Sequence, residues 1–284
     1  MFQYAFGQML KQDYGVEDIY FDLSYFKQWP HLLKAIRSMN VDMPCATEKM
    51  LKKVCLLKHD QLPHTLRHRI PVFIEWKLNP KYFCERGRDY TDPERVLKYE
   101  YLDGYWQSWR YLKNIKPNLL HDFSASSLSE QARRDVEFVK SKNCVCMGVR
   151  LSDYVAAGDH YYIPGAEYYI KAMKYMMSKQ EDLMFYVFSD DIEKAKKLMT
   201  QAGVTSVIYR EKEQVLPDCE ELEVMKACKH AIIPNSTFHW WAAWLKDQPD
   251  SIIVCPDHWF GDGSKIDIIP PEWIKISESG GAEQ

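Results

Sequence analysis

The stretch that decides the fold runs Ile232-Ile233-Pro234-Asn235-Ser236-Thr237-Phe238-His239-Trp240-Trp241-Ala242-Ala243-Trp244-Leu245. An apolar run gives way to small polar residues, and an aromatic segment follows. This order predicts a buried strand, a turn and then a helix that begins at Thr237. Such a junction presents free N–H groups and the positive end of a helix dipole, which suit a phosphate. The plainer alternative is a core helix with an ordinary Ser or Thr cap.

The rest of the second half alternates regularly between strand and helix patterns. Strands are predicted at 143–149, 183–188, 204–209, 230–233 and 251–255, and helices at 127–140, 166–178, 191–201, 219–228 and 237–246. Strict alternation with short connections is typical of an α/β fold, in which helices cover both faces of a parallel sheet.

The first half is less regular. Its patterns predict helices at 1–12 and 46–58, strands at 17–23, 70–76 and 95–102, and a turn entering a helix at 105–112. A segment rich in Asn, Asp and Ser at 117–127 indicates a boundary. We therefore expect two domains, 1–122 and 123–284.

Composition excludes several classes of protein. The formal net charge is −3, which gives no electrostatic case for nucleic acid. The eight cysteines lack Cys-x-x-Cys spacing and indicate neither a zinc site nor a disulfide framework, so we expect a reducing, cytoplasmic location. The sequence contains no run of 18 apolar residues, so no membrane span is predicted. The sequence has no phosphate-binding Gly-x-x-x-x-Gly-Lys loop, no His-Glu-x-x-His and no Gly-x-Ser-x-Gly.

Polar residues follow three of the predicted strands. Arg150 to Asp153 follow the first, Ser189-Asp190-Asp191 the second, and Asn235-Ser236-Thr237 the third. The carboxyl ends of parallel strands lie at one edge, so an arginine fork, a carboxylate and helix-start amides would meet in one crevice and suit a nucleotide diphosphate. Alternatively, Arg150 pairs with Asp153 on the surface, and the aspartates only cap a helix. Adjacent aspartates are not an Asp-x-Asp metal motif, so no metal is predicted.

These junctions resemble glycosyltransferase family 11, the α-1,2-fucosyltransferases, and the bacterial members in particular. The stretch 235–241 resembles the family signature Asn-Ser-Thr-Phe-Ser-Trp-Trp. Its Gly-Tyr-Trp-Gln-Ser segment matches 104–108, and its strand-to-helix junction matches 186–191. The matching blocks follow the family order over nearly the whole chain.

The resemblance implies two Rossmann-like domains facing across a cleft, the GT-B type. It implies inverting, metal-independent transfer of L-fucose from GDP-fucose to a galactoside hydroxyl, with no other cofactor. The product would be an α-1,2 linkage on a surface glycan, either free or lipid-linked. Arg150 would neutralise the leaving phosphate, and Asp153 would position it or assist proton removal. The other expected site residues are, for the donor, Ser189, Asp190, Asp191, Asn235, Ser236, Thr237 and Phe238, and, for the acceptor, Tyr105, Trp106 and Gln107.

Two departures from the family keep alternatives open. The chain begins at the helix that follows the family's Gly-Leu-Gly-Asn-Gln loop, so we expect the first domain to lack that loop. The family pattern His-x-Arg-Arg-x-Asp is matched at 148–153 by its first Arg and its Asp, but Gly148 and Leu151 replace its His and second Arg. A transferase with another sugar nucleotide, and a degenerate protein that binds without turnover, are the alternatives. Lysines in the helix at 46–58 either contact an anionic membrane surface, which would make the protein peripheral at the inner face of the membrane, or form a solvated face.

Overall fold

The structure is a computed structural model that describes residues 1–27, 30–57, 70–150, 162–210, 216–262, 267–278 and 282–283. The chain divides into two compact units. The first comprises Met1–Phe123 with Ile266–Ile269, and the second comprises Ser124–Lys265 with Pro270–Gln284. Within the described ranges, none of the helices has the length and apolar character needed to cross a bilayer.

The first unit is mainly helical. Its helices are α1 (Phe2–Tyr14), α2 (Pro30–Arg37), α3 (Glu48–Val54), α4 (Ile70–Leu78) and α5 (Lys116–Asp122), and its strands are β1 (Tyr82–Cys84) and β2 (Tyr101–Asp103). The strands pair in parallel, with Tyr82 opposite Tyr101. Their rings stack 5.1 Å apart, and each hydroxyl donates to an aspartate. Short 3₁₀ segments occupy Ser24–Lys27, Pro93–Arg95 and Trp109–Leu112.

Several predictions for the first unit are wrong. The run at 70–76 is part of helix α4, because an apolar run of this length does not distinguish a buried strand from a helix. The segment 17–23 forms only an isolated bridge between Phe21 and Cys45. The strand predicted at 95–102 is confined to Tyr101–Asp103. The described residues of this unit hold a two-stranded sheet, so the expected Rossmann-like sheet is not confirmed here.

The second unit confirms the predicted alternation. Its helices are α6 (Glu130–Lys140), α7 (Ala166–Lys179), α8 (Ile192–Ala202), α9 (Asp218–Ala227) and α10 (Thr237–Trp244). Its strands are β3 (Asn143–Val149), β4 (Leu183–Ser189), β5 (Val207–Tyr209), β6 (His230–Ile232), β7 (Ile253–Pro256), β8 (Ile274–Ile276) and β9 (Ala282–Glu283). Strands β3 to β8 pair with one another in parallel, and β9 is antiparallel to β8.

Strand β3 lies inside the sheet and buries both faces. Val145, Met147 and Val149 pack into a core cluster with α7 and α8. The alternate residues point to the opposite face, where the Cys144 thiol lies 3.6 Å from that of Cys228. A strand covered on both faces reads as a continuous apolar run, which explains why its bounds were predictable.

Candidate functional site

The strand order creates a switch point beside β3. The sheet runs β5-β4-β3-β6-β7-β8-β9, so the chain builds outward from β3 to β5 and then returns to place β6 on the other side of β3. The direction in which the chain adds strands therefore reverses between β3 and β6. Ligands of open α/β sheets bind in the crevice beyond the carboxyl ends of the strands at such a switch point.

Two adjacent tyrosines of α7 fix the strand ends at this crevice. Both are fully buried. The hydroxyl of Tyr169 accepts a hydrogen bond from the N–H of Arg150 at 3.3 Å, and the hydroxyl of Tyr168 donates to the carbonyl oxygen of Ile233 at 2.6 Å. The backbone just after β3 and just after β6 is thus held from one helix. The sequence analysis predicted a helix at 166–178 but assigned no role to Tyr169.

Helix α10 begins at the crevice. Ser236 is buried and occupies the cap position, but its side chain makes no capping hydrogen bond, and Thr237 is exposed. The first-turn N–H groups of a helix have no intrahelical partner, so they suit an anionic ligand here. The side chain of Asn235 donates to the carbonyl oxygen of Trp259 at 3.0 Å and so ties the neighbouring loop to the helix start. Its Oδ1 atom is buried and has no partner within the described residues.

The end of β4 contains a helix cap and a second carboxylate. The N–H of Asp191 donates to Ser189 Oγ at 3.0 Å, and Asp191 itself caps α8 by accepting from the N–H of Lys194 at 3.1 Å. Hydrogen bonds from Lys194 lower the pKa of Asp191. Asp190 is half-buried, and its charge reaches the side chains of Tyr169 and His239. Asp191 therefore has a capping role, and Asp190 is the carboxylate at the crevice.

His239 is the residue that the sequence analysis missed. It is 3% exposed, in the first turn of α10. Burial and then the charge of Arg150 lower its pKa to about 3, against a smaller opposing effect of Asp190. Arg150 also acts on Glu221 of α9, whose pKa burial raises. The charges of Arg150 and Asp190, which follow β3 and β4, thus both act on a buried, neutral imidazole. The departure from the family signature at position 239 is the signal that could have found it.

The predicted acceptor-side residues lie in the first unit and differ in exposure. Tyr105 is 74% exposed, Gln107 is half-buried, and Trp106 is buried against Phe6 at a ring distance of 4.1 Å. The N–H groups of Tyr105 and Trp106 donate to one carboxylate oxygen of Glu85, at 2.7 and 3.0 Å. Trp106 therefore packs inside the unit, and Tyr105 presents its ring to solvent.

A cavity of about 690 Å³ also lies in the first unit. Its wall combines aromatic rings and cations, and the guanidinium of Arg86 lies 3.3 Å from the ring centre of Trp76. None of Tyr105, Trp106 and Gln107 lines it. The remaining predicted site residue, Asp153, lies outside the described residues. Phe238 is half-buried beside His239, with the two rings 6.1 Å apart.

A parallel sheet whose switch point holds an arginine and a helix start is the arrangement of nucleotide-binding α/β proteins. The family model "Glycosyl transferase family 11" matches residues 43–277, so the chain belongs to that family. It is accordingly a glycosyltransferase, which implies a sugar-nucleotide donor and a glycan acceptor.

The chain is also similar to three known proteins and to one solved structure. It is 27% identical to an alpha-1,2-colitosyltransferase of Escherichia coli (98% of this chain, 95% of that one) and 25% identical to the O-antigen biosynthesis glycosyltransferase WbnK of E. coli (97% and 96%). It is 23% identical to a putative galactoside 2-alpha-L-fucosyltransferase of Caenorhabditis elegans (88% and 65%). A family 9 glycosyl transferase structure from Veillonella parvula aligns with a TM-score of 0.34 and 11% identity, covering 73% of this chain and 60% of that one.

Proposed function

We propose that the protein transfers L-fucose from GDP-fucose to a galactoside hydroxyl, with inversion and without a metal ion, and that it forms an α-1,2 linkage. The acceptor oxygen bonds to the anomeric carbon as the bond from that carbon to the β-phosphate oxygen breaks. GDP leaves, and the acceptor hydroxyl loses its proton to a base. The observation that carries the proposal is the convergence of Arg150, Asp190 and the start of α10 at the switch point of the sheet.

Each donor-side group has a distinct task. The cationic Arg150 stabilises the charge that develops on the departing diphosphate, because charge stabilisation counts most where charge appears in the transition state. The N–H groups at Thr237 and Phe238 bind phosphate oxygens, and Asp190 binds a hydroxyl or amine of the nucleoside. Asp153 either positions Arg150 or accepts the proton.

Acceptor recognition is assigned to the first unit, through the exposed ring of Tyr105 and the amide of Gln107. The GT-B arrangement stays a prediction of the family resemblance. We place the reaction in the cytoplasm, at the inner face of the membrane if the glycan is lipid-linked. Lys49, Lys52 and Lys53 of α3 are exposed, as either a membrane contact or a solvated face requires.

A specific observation favours a second donor. One of the relatives that match nearly the full chain is named as an alpha-1,2-colitosyltransferase. The second candidate function is therefore transfer of colitose, or of another sugar, to the same kind of hydroxyl. Its donor site would use the same diphosphate contacts, so the two candidates differ at the sugar alone.

The test is product analysis with a β-galactoside acceptor and a panel of GDP-fucose, a GDP-linked colitose, and UDP- and dTDP-sugars, with and without EDTA. The proposal expects a fucosylated product substituted at the galactose 2-OH, at an EDTA-insensitive rate. Arg150→Ala should lower turnover about 100- to 1000-fold. The exposed Arg134→Ala on α6 is the matched control, and it should behave as wild type. Preference for another donor would replace the fucosyl assignment, and an unchanged rate for Arg150→Ala would remove Arg150 from the mechanism.

A further inference from the structure

The imidazole of His239 lies directly against Gly148, at the switch point of the sheet. A Cβ atom placed on Gly148 would be 2.1 Å from His239 Cδ2, 2.4 Å from Nε2 and 2.8 Å from Pro234 Cδ. Real Cβ atoms essentially never come within 3.0 Å of such neighbours. The ring therefore occupies the space that any side chain at position 148 would need.

The ring is buried with its hydrogen-bonding capacity unused. Neither nitrogen of His239 has a partner within the described residues. A neutral imidazole has one N–H donor and one acceptor, and buried polar groups are normally satisfied. His230 is a buried histidine with both ring nitrogens satisfied. One nitrogen bonds Asn143 Oδ1, and the other accepts from the N–H of Ile252, both at 3.0 Å. His239 lacks such partners and lies where the donor is proposed to bind.

The surroundings of His239 suit an anion. Arg150 follows β3 two residues after Gly148, and its charge acts on the ring. The helix start at Thr237 lies two residues before it. A neutral imidazole in the first turn of a helix carries one N–H and can donate it in a hydrogen bond to a phosphate oxygen without first being protonated.

The family patterns quoted above carry an imidazole at the position of Gly148 and a serine at that of His239. In this chain position 148 has lost the imidazole and position 239 has gained one. The His239 ring lies where a side chain at position 148 would start, so the two positions compete for one space.

We propose that His239 is a donor-contacting residue whose imidazole binds the diphosphate of the sugar nucleotide, in the space that a side chain at position 148 would otherwise fill. The inference rests on the proposed function, which gives the position of the donor. It assigns to His239 a phosphate contact that the motif at 148–153 does not supply, because Gly148 replaces the histidine there. It also favours a working site over a degenerate one.

The experiment is calorimetric titration of the full chain with GDP, GMP and guanosine. His239→Ala should weaken GDP binding about 10- to 100-fold, the effect of losing a hydrogen bond to a charged group, and should leave guanosine unchanged. The exposed His121→Ala is the matched control and should bind GDP as wild type. The reciprocal exchange Gly148→His/His239→Ser should bind GDP more tightly than His239→Ala, because it returns an imidazole to the same space. Thermal unfolding checks that each variant is folded, and His239→Gln carries the test if the alanine variant is not.

Three results would overturn the inference. They are unchanged GDP affinity in His239→Ala, an equal loss for GDP and guanosine, and a double variant no better than His239→Ala. If wild type binds neither GDP nor UDP nor dTDP, the donor site itself fails along with the inference. If wild type binds and transfers but the histidine variants behave like it, only the inference fails.

Discussion

Gly148→Ala is the smallest change that tests the packing at the switch point. The added methyl group would lie 2.1 and 2.4 Å from two atoms of the His239 ring and 2.8 Å from the ring of Pro234. The imidazole is a buried side chain of α10, and proline is rigid, so neither neighbour can move away freely. Overpacking of this kind costs about 1–3 kcal/mol. In a unit of this size, that corresponds to a fall in melting temperature of roughly 2–12 °C.

The partner that causes the strain can be removed independently. In a His239→Ala background only the contact with Pro234 Cδ at 2.8 Å remains, so Gly148→Ala should cost less there than in the wild-type background. The difference between the two backgrounds is the coupling energy of the pair. Residues in direct contact commonly show coupling of about 0.5–3 kcal/mol.

Urea unfolding followed by Trp fluorescence measures both costs, since Trp240 and Trp241 lie one and two residues after His239. Gly7→Ala is the comparison variant. Its Cβ would lie 3.2 Å from a ring carbon of Phe21, a tight contact that a shift of a few tenths of an ångström relieves, and it lies in a helix, which favours alanine over glycine. The reasoning is refuted if Gly148→Ala unfolds at the wild-type midpoint, or if its cost is the same with and without the imidazole.

Two further predictions concern stability. Asp135→Ala should lower the free energy of unfolding by about 3–5 kcal/mol, because it leaves Arg210, which is paired with Asp135 at 2.6 Å, as an unpaired buried charge. The control Arg134→Ala removes an exposed ion pair and should lower it by less than about 1 kcal/mol. Equal urea midpoints for the two variants would contradict this prediction. Burial lowers the pKa of His230 to about 4 and that of His239 to about 3. Below pH 6.5 the unfolded chain therefore binds protons at these histidines more strongly than the folded chain does. Stability should therefore be full above pH 6.5 and fall by up to about 3 kcal/mol per histidine toward pH 4. His239→Gln should flatten that acid limb in unfolding measured against pH, and an unchanged limb would rule out its contribution.

The second unit was readable from sequence because its signals are local. A strand such as 143–149 is one continuous apolar run, and its predicted bounds match the structure. Helix α8 begins after the capping Asp191 and ends at Gly203, whose φ of 76° is the left-handed conformation that glycine favours. In the first unit the run at 70–76 carries no comparable signal, and it proved to be helical because tertiary contacts decide such cases.

The candidate site was only partly readable. The sequence identified the junctions at Arg150, Asp190 and Asn235-Ser236-Thr237, since polar residues after apolar runs are visible locally. It assigned Trp106 to the acceptor side without any means of seeing that the ring is stacked on Phe6. It treated the glycine at 148 as a loss, because a contact between residues 91 positions apart has no local signature.

The sequence by itself determined the alternation of strands and helices, the polar junctions and the family, because each is written in spacing and residue type along a short stretch. Only the tertiary structure decided that β6 lies beside β3, that Tyr168 and Tyr169 hold the two strand ends, and that His239 fills the space over Gly148. Strand order and side-chain contact depend on how distant segments pack together. The chemistry of this site therefore rests on neighbours that the chain acquires only when it folds.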